Sequence, residues 1–224
     1  MFNDFFNLIF PKTCFACHTA LLKYEKIICT SCQFYLPKTN FHLESNNNLN
    51  KVFWGRVDVK KAASFYYFNK GGKVQNLLHE LKYKGAKEVG ERIGELYGLE
   101  LLNTDFLKGI DLIIPVPLHV KKLKKRGYNQ SECFAIGLSK VTLISVQNNV
   151  LYRHEFSDTQ TKKSRFNRWQ NVSNIFNLKN SEKIKGMHIL LVDDVITTGS
   201  TIEACAQVFN NYGCMVSVLS IAYS

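Results

Sequence analysis

Two hydrophobic periodicities alternate along most of the chain. Ala62-Ala-Ser-Phe-Tyr-Tyr-Phe68 is an unbroken run of apolar and small residues closed by Asn69-Lys-Gly-Gly72, which reads as a buried strand ending in a turn. Val74, Leu77, Leu78 and Leu81 then recur at the spacing of an amphipathic helix, and Gly85 is placed to end it. Val89, Ile93, Leu96 and Tyr97 repeat that stripe in a second helix. Asp111-Leu-Ile-Ile-Pro-Val-Pro117 is a short apolar strand stopped by prolines, and a helix is predicted over residues 129–140. Residues 187–192 form another apolar strand. Ile202, Cys205 and Phe209 mark the buried stripe of the next helix, and residues 215–221 make a final strand. Strands alternating with helices build a mostly parallel sheet covered on both faces. Ligands of such sheets bind beyond the carboxyl ends of the strands.

The first sixty residues do not follow this pattern. Four of the seven cysteines fall in Cys14-Phe-Ala-Cys17 and Cys29-Thr-Ser-Cys32. Two Cys-x-x-Cys turns so close together bring four thiolates to one tetrahedral ion, which suits zinc. His18 is not needed as a ligand, because four thiolates already close the site. A pair of disulfides is the alternative, and a reducing compartment disfavours it. The opening MFNDFFNLIFP is apolar but has neither a basic region nor a small-residue cleavage site. It reads as a short amphipathic helix rather than a signal peptide. No apolar run approaches the roughly 18 residues of a membrane span. With no export signal recognised, a cytoplasmic location is expected. Cys133, Cys205 and Cys214 lie in helix-like or strand-like stretches and read as small buried residues. Residues 40–51, rich in Asn and without periodicity, read as a linker. The expected organisation is a zinc-binding module at 1–45, a linker at 46–58 and an α/β domain at 59–224.

Charge narrows the class of partner. With 29 Lys and Arg against 18 Asp and Glu, the chain carries a formal charge of +11, which favours nucleotides or nucleic acid. Against that background Asp193 and Asp194 stand together at the end of a predicted strand, in LVDDVITTGST. The turn that follows offers backbone N–H groups at a helix start, several hydroxyls and a glycine, a cradle for phosphate. Carboxylates repel phosphate, but they accept hydrogen bonds from ribose hydroxyls or hold magnesium through water. Neither GxxxxGK[ST] nor GxGxxG is present, so a Walker loop and a dinucleotide fold both lack support.

VDDVITTGST resembles the signature of type I phosphoribosyltransferases, which bind 5-phosphoribosyl-1-pyrophosphate (PRPP). The resemblance implies that Asp193 and Asp194 take the ribose hydroxyls. It places the 5-phosphate on the loop of Val195, Ile196, Thr197, Thr198, Gly199, Ser200 and Thr201. Further motifs resemble one branch, the competence protein F (ComF) family. These are the four-cysteine module, Leu81-Lys-Tyr-Lys-Gly85, Pro115-Val-Pro-Leu-His119, Arg126-Gly-Tyr-Asn-Gln130, Thr159-Gln-Thr161, and Arg168 with Asn171-Val172.

That resemblance implies the type I phosphoribosyltransferase fold, a parallel twisted sheet flanked by helices, with a small zinc module ahead of it. Val116, Pro117, Leu118 and His119 would wrap the pyrophosphate. Lys121, Lys122, Lys124, Lys125 and Arg126 would neutralise it or track nucleic-acid phosphates, although a charge run is also an ordinary solvated face. Residues 153–176 would close over PRPP, with Arg168 meeting the leaving group and Lys162, Lys163 and Arg165 as lesser candidates. Trp169 and Phe166 would stack on a base or pack within the hood. Asp194 is the nominal general base. The expected cofactors are structural zinc and magnesium bound with PRPP. Two functions stand open: phosphoribosyl transfer to an unidentified acceptor, or PRPP sensing by a single-stranded-DNA-binding factor. The family implies a link with the DNA-uptake machinery in either case.

Overall fold

Residues 11–153, 175–179 and 181–224 are described in the computed structural model. The expected N-terminal helix and the closing loop with Arg168, Lys162, Lys163, Arg165, Phe166 and Trp169 therefore lie outside the described residues. So do Thr159, Thr161 and Asn171.

The four strands predicted from apolar runs, joined by a short fifth that no apolar run announced, form one sheet. In chain order they are β1 (Ala62–Tyr67), β2 (Leu112–Pro115), β3 (Ser145–Val146), β6 (His188–Ile196) and β7 (Met215–Tyr223). Their spatial order is β1-β7-β6-β2-β3, every neighbouring pair is parallel, and Ala63, Ile113, Leu191 and Val218 are wholly buried. Continuous apolar strands are what burial on both faces demands. A short antiparallel pair, β4 (Leu151–Arg153) with β5 (Phe176–Leu178), stands apart from the sheet.

Helices α3 (Lys73–Tyr83) and α4 (Lys87–Leu101) connect β1 to β2. Helices α5 (Val120–Arg126) and α6 (Gln130–Thr142) connect β2 to β3, and α7 (Ser200–Asn211) joins β6 to β7. Right-handed crossovers put α4 and α6 on one face and α7 on the other, because the chain moves in opposite directions across the sheet. Helices α4 and α6 pack backbone to backbone. A Cβ on Gly94 would lie 2.3 Å from the Phe134 carbonyl oxygen, and one on Gly137 would lie 2.0 Å from that of Glu91. No side chain fits in that crossing.

Three observations depart from expectation. Strand β6 runs through both aspartates to Ile196, because β7 continues to Tyr223 and pairs with it all the way. Helix α5 has no apolar stripe to foretell it, since none of its residues is buried. The Asn-rich stretch read as a linker is packed, with Leu49 and Phe53 buried and α2 (Asn48–Lys51) inside it. Asn47 accounts for its order. Its Oδ1 caps α2 by accepting from Asn50 N–H, and its Nδ2 donates to the carbonyls of Phe41, Glu44 and Ala62.

The cysteine-bearing segment leads into α1 (Thr30–Tyr35) and then along the edge of the sheet. There Thr39 N–H donates to Phe65 O at 3.0 Å and Tyr67 N–H donates to Pro37 O at 2.8 Å, covering the free edge of β1. Among the described residues no helix is long and apolar enough to cross a membrane.

Candidate functional site

Strand order reverses between β2 and β6, since β3 lies on one side of that pair and β7 and β1 lie on the other. Pro115 is paired with Val192, so the segment leaving β2 emerges beside the aspartates of β6. This is the position where open α/β sheets bind ligands.

Asp193 and Asp194 are only partly exposed. The Oδ1 of Asp193 accepts from Ser131 Oγ at 2.9 Å and from Asp194 N–H at 2.8 Å. The Oδ2 of Asp194 faces Lys82 Nζ at 3.0 Å. Burial, and then the neighbouring charge of Asp194, push the Asp193 carboxyl up to about 7. Its hydrogen bonds and Lys82 act in the opposite direction. Among the described residues no donor reaches Asp193 Oδ2 or Asp194 Oδ1. One oxygen of each acid is thus left to accept from a ligand.

Lys82 is held where it is needed. Leu81 is buried, and its carbonyl accepts from Tyr128 Oη at 2.5 Å. The Arg126 guanidinium lies 5.4 Å from the centre of the Tyr83 ring, and its NH1 donates to Gln130 Oε1 at 2.8 Å. Arg126 is therefore part of this wall, while Lys121, Lys122, Lys124 and Lys125 are exposed along α5.

The four residues after β2 divide by their backbone bonds. Val116 N–H donates to Val192 O and Val116 O accepts from Asn129 Nδ2, both at 2.9 Å, so Val116 belongs to the scaffold. Pro117 has no N–H. Leu118 and His119 keep N–H groups without a partner among the described residues. The His119 Nδ1 accepts from Lys121 N–H at 3.1 Å and caps α5.

The turn after β6 is short. Ile196 is buried, Val195 pairs with Ala222, and Thr197, Thr198 and Gly199 lead directly to α7, the first turn of which holds Ser200 and Thr201. Gly199 has φ 74°, a left-handed conformation. A Cβ there would lie 2.8 Å from Val52 Cγ1 and 3.0 Å from Phe53 Cε1. The hydroxyls of Thr198 and Ser200 are 2.8 Å apart, and Thr197 and Thr201 are exposed. A pocket of ≈ 40 Å³ opens between this turn and Asp193.

At the other end of the chain, the sulfurs of Cys14, Cys17, Cys29 and Cys32 all lie within 4.8 Å of one another. The Sγ atoms of Cys17 and Cys29 are 3.8 Å apart. A tetrahedron with zinc–sulfur bonds of about 2.3 Å has edges of about 3.8 Å, so the donor set fits a tetrathiolate ion. Backbone N–H groups of Ala16 and Cys29 point at Cys14 Sγ from 3.4 and 3.3 Å. The cluster is docked on the domain by Asn76 Nδ2, which donates to Ala16 O at 2.9 Å.

The DNA utilization protein YhgH of Escherichia coli K12 is 31% identical over 205 residues, spanning 89% of this chain and 85% of that protein. The chain belongs to the competence protein F family. Within that family, competence protein F of Haemophilus influenzae is 38% identical over 141 residues, covering 61% of this chain and 62% of the relative. Competence protein ComFC of Bacillus subtilis is 25% identical over 225 residues, covering 89% and 85%. The phosphoribosyl transferase domain matches residues 136–222, which carry β6, α7 and β7. The competence protein F member described here has a type I phosphoribosyltransferase fold with a four-cysteine cluster near its N-terminus.

Three residues at this site escaped the sequence reading: Lys82, Ser131 and Arg56, whose NH1 donates to Thr198 O at 3.0 Å. Lys82 lies in a motif that the family resemblance singled out without giving it a role. Ser131 follows another such motif, and only folding brings it to Asp193.

Proposed function

We propose that the crevice between β2 and β6 binds PRPP, and that the protein uses this ligand in the handling of DNA taken up by the cell. The observation that carries the reading is the pair of free carboxylate oxygens, Asp193 Oδ2 and Asp194 Oδ1. They stand beside a glycine-bearing helix start on one side and the Leu118 and His119 amides on the other. Two ribose hydroxyls donate to the two oxygens. The 5-phosphate meets the N–H groups and hydroxyls of residues 197–201. The pyrophosphate lies against Leu118 and His119, with Arg126 and the lysines of α5 beyond.

Lys82 holds Asp194 turned toward the sugar. Ser131 orients Asp193. If transfer occurs, a lone pair of the acceptor forms the new bond to C1 of PRPP while the bond to pyrophosphate breaks, its electron pair leaving with that group. The site needs no strong base for such a step, since positioning and charge stabilisation carry most of the rate. The hard carboxylate oxygens of Asp193 and Asp194 would suit magnesium held through water, which would supply neutralisation of the departing charge. Zinc in the four-cysteine cluster fits the thiolate spacing and serves structure.

A second reading, direct contact with single-stranded DNA, is favoured by α5. Four exposed lysines there stand on a helix that buries nothing. One set of titrations tests both. Calorimetry with magnesium–PRPP should show binding that the double variant Asp193→Asn, Asp194→Asn loses by at least about tenfold. Unchanged affinity in that variant removes the site assignment. Single-stranded DNA should bind with an affinity that falls steeply with salt, as released counterions require. A flat salt response excludes the second reading. Release of pyrophosphate in the presence of candidate acceptors separates transfer from sensing.

A further inference from the structure

The 5-phosphate turn is braced by a segment that the sequence pattern marks only as a linker. Arg56 stands 142 residues from Thr198, yet its NH1 donates at 3.0 Å to Thr198 O and also at 3.0 Å to Val52 O. Its NH2 pairs with Glu203. Val52 and Phe53 lie over Gly199, where even a methyl group would collide with them. Farther along α7, Asn210 Nδ2 donates to Asp58 O at 2.9 Å, so residues 52–58 are tacked to the helix at both ends.

We propose that Arg56 is a positioning residue of the 5-phosphate turn, acting by holding the Thr198 carbonyl outward and by cancelling the charge of Glu203. The proposal rests on the PRPP reading above. Glu203 lies in the first turn of α7, and its N–H donates to Gly199 O at 2.8 Å. A carboxylate at a helix start complements the dipole of an empty helix, but it opposes an incoming phosphate. A solvent-facing ion pair would ordinarily contribute little. This one differs because the same guanidinium spans two backbone carbonyls, so its loss frees the turn as well as the charge. A carbonyl held outward leaves the peptide N–H groups of the turn facing the anion, which is the arrangement a phosphate cradle needs.

The test uses the full chain with Arg56→Gln, Arg56→Lys, Glu203→Gln and the Arg56→Gln, Glu203→Gln double variant. Two measurements are read on each: amide hydrogen exchange at position 203, where the N–H closes the turn onto Gly199 O, without ligand, and the affinity for ribose 5-phosphate by calorimetry. Arg56→Gln should speed exchange at the turn and weaken ribose 5-phosphate by about tenfold. Arg56→Lys should recover part of the affinity. Glu203→Gln placed in the Arg56→Gln background should recover affinity by about threefold while leaving exchange fast, a separation that a generally loosened fold would not give. Wild-type exchange at the turn in Arg56→Gln overturns the proposal, and so does a failure of Glu203→Gln to recover any affinity. If the wild-type protein binds no ribose 5-phosphate, the PRPP reading falls. Exchange alone then decides whether Arg56 positions the turn: faster exchange sustains the clamp, and unchanged exchange removes it.

Discussion

Two regions of this protein crowd acidic groups into a few ångströms, and they manage the crowding differently. The cysteine cluster gathers four sulfurs within 4.8 Å, supported by backbone N–H groups, and no lysine or arginine among the described residues donates to any of them. The aspartate pair has Lys82 at 3.0 Å and Ser131 at 2.9 Å, both brought in by helices of the α/β domain. A cluster that carries its own cation is formed before any ligand arrives. A thiol cluster that lacks one has the donor set of a metal site, and folding of small modules that fill such a site depends on the metal. The first kind suits a site that must exchange ligands, the second a permanent clasp.

The largest expected effect comes from breaking the clasp. Cys29→Ser removes one of four thiolates, and structural zinc in small modules supplies about 10 kcal/mol or more of folding free energy. Metal analysis should fall from about one zinc per chain toward none. Amide exchange should show residues 11–36 opening while the α4–α6 crossing stays protected. Loss of protection at Gly94 and Gly137 as well would mean that the module is part of the core rather than clasped onto it.

The acid pair answers to pH instead. The Asp193 carboxyl is raised to about 7 from an ordinary 3.8, so between those values the native state holds a proton that the unfolded chain releases. Stability therefore falls as pH rises through that window, by at most about 1.4 kcal/mol per pH unit, and levels off above it. Asp193→Asn should lack that slope and be the more stable protein at pH 8, while losing PRPP affinity. Thermal melts from pH 4 to pH 8 in steps of about 0.5 measure the difference. Parallel slopes for the variant and the wild type would show that Asp193 is not the group under strain, and the contrast with the cysteine cluster would lose its basis.

The contrast also separates what was legible in the sequence from what was not. The cysteine clasp is local: its four ligands fall within nineteen residues, and their spacing alone points to a tetrahedral ion. Strands β1, β2, β6 and β7 and the helices α3, α4, α6 and α7 were legible because each buries an apolar run or stripe, whereas the two- and three-residue strands β3, β4 and β5 are too short to show one. Helix α5 buries nothing, so no periodicity announces it. Lys82, Ser131 and Arg56 act across the fold, and nothing in their local pattern says what they face. Asn47 and Asn50 looked like linker residues because polar side chains that satisfy buried backbone groups have the composition of a loop.

The smallest expected effect tests the internal cation itself. The Lys82 and Asp194 side chains are 22% and 16% exposed, between the surface pairs that contribute almost nothing and the buried pairs that are costly to break. Lys82→Met keeps most of the apolar stem, so the loss should be about 2 kcal/mol at pH 8, measured by urea unfolding. At pH 5 the loss should shrink, because Asp193 is then protonated and Asp194 no longer faces a second charge. Without Lys82 to pull it down, the Asp193 carboxyl should also move above 7, shifting the midpoint of the stability–pH curve upward. Lys82→Arg, which preserves the charge, should restore that midpoint even if its planar head fits less well. A loss from Lys82→Met that is equal at pH 5 and pH 8 would assign the role of Lys82 to packing, and the acid pair would then have no cation of its own.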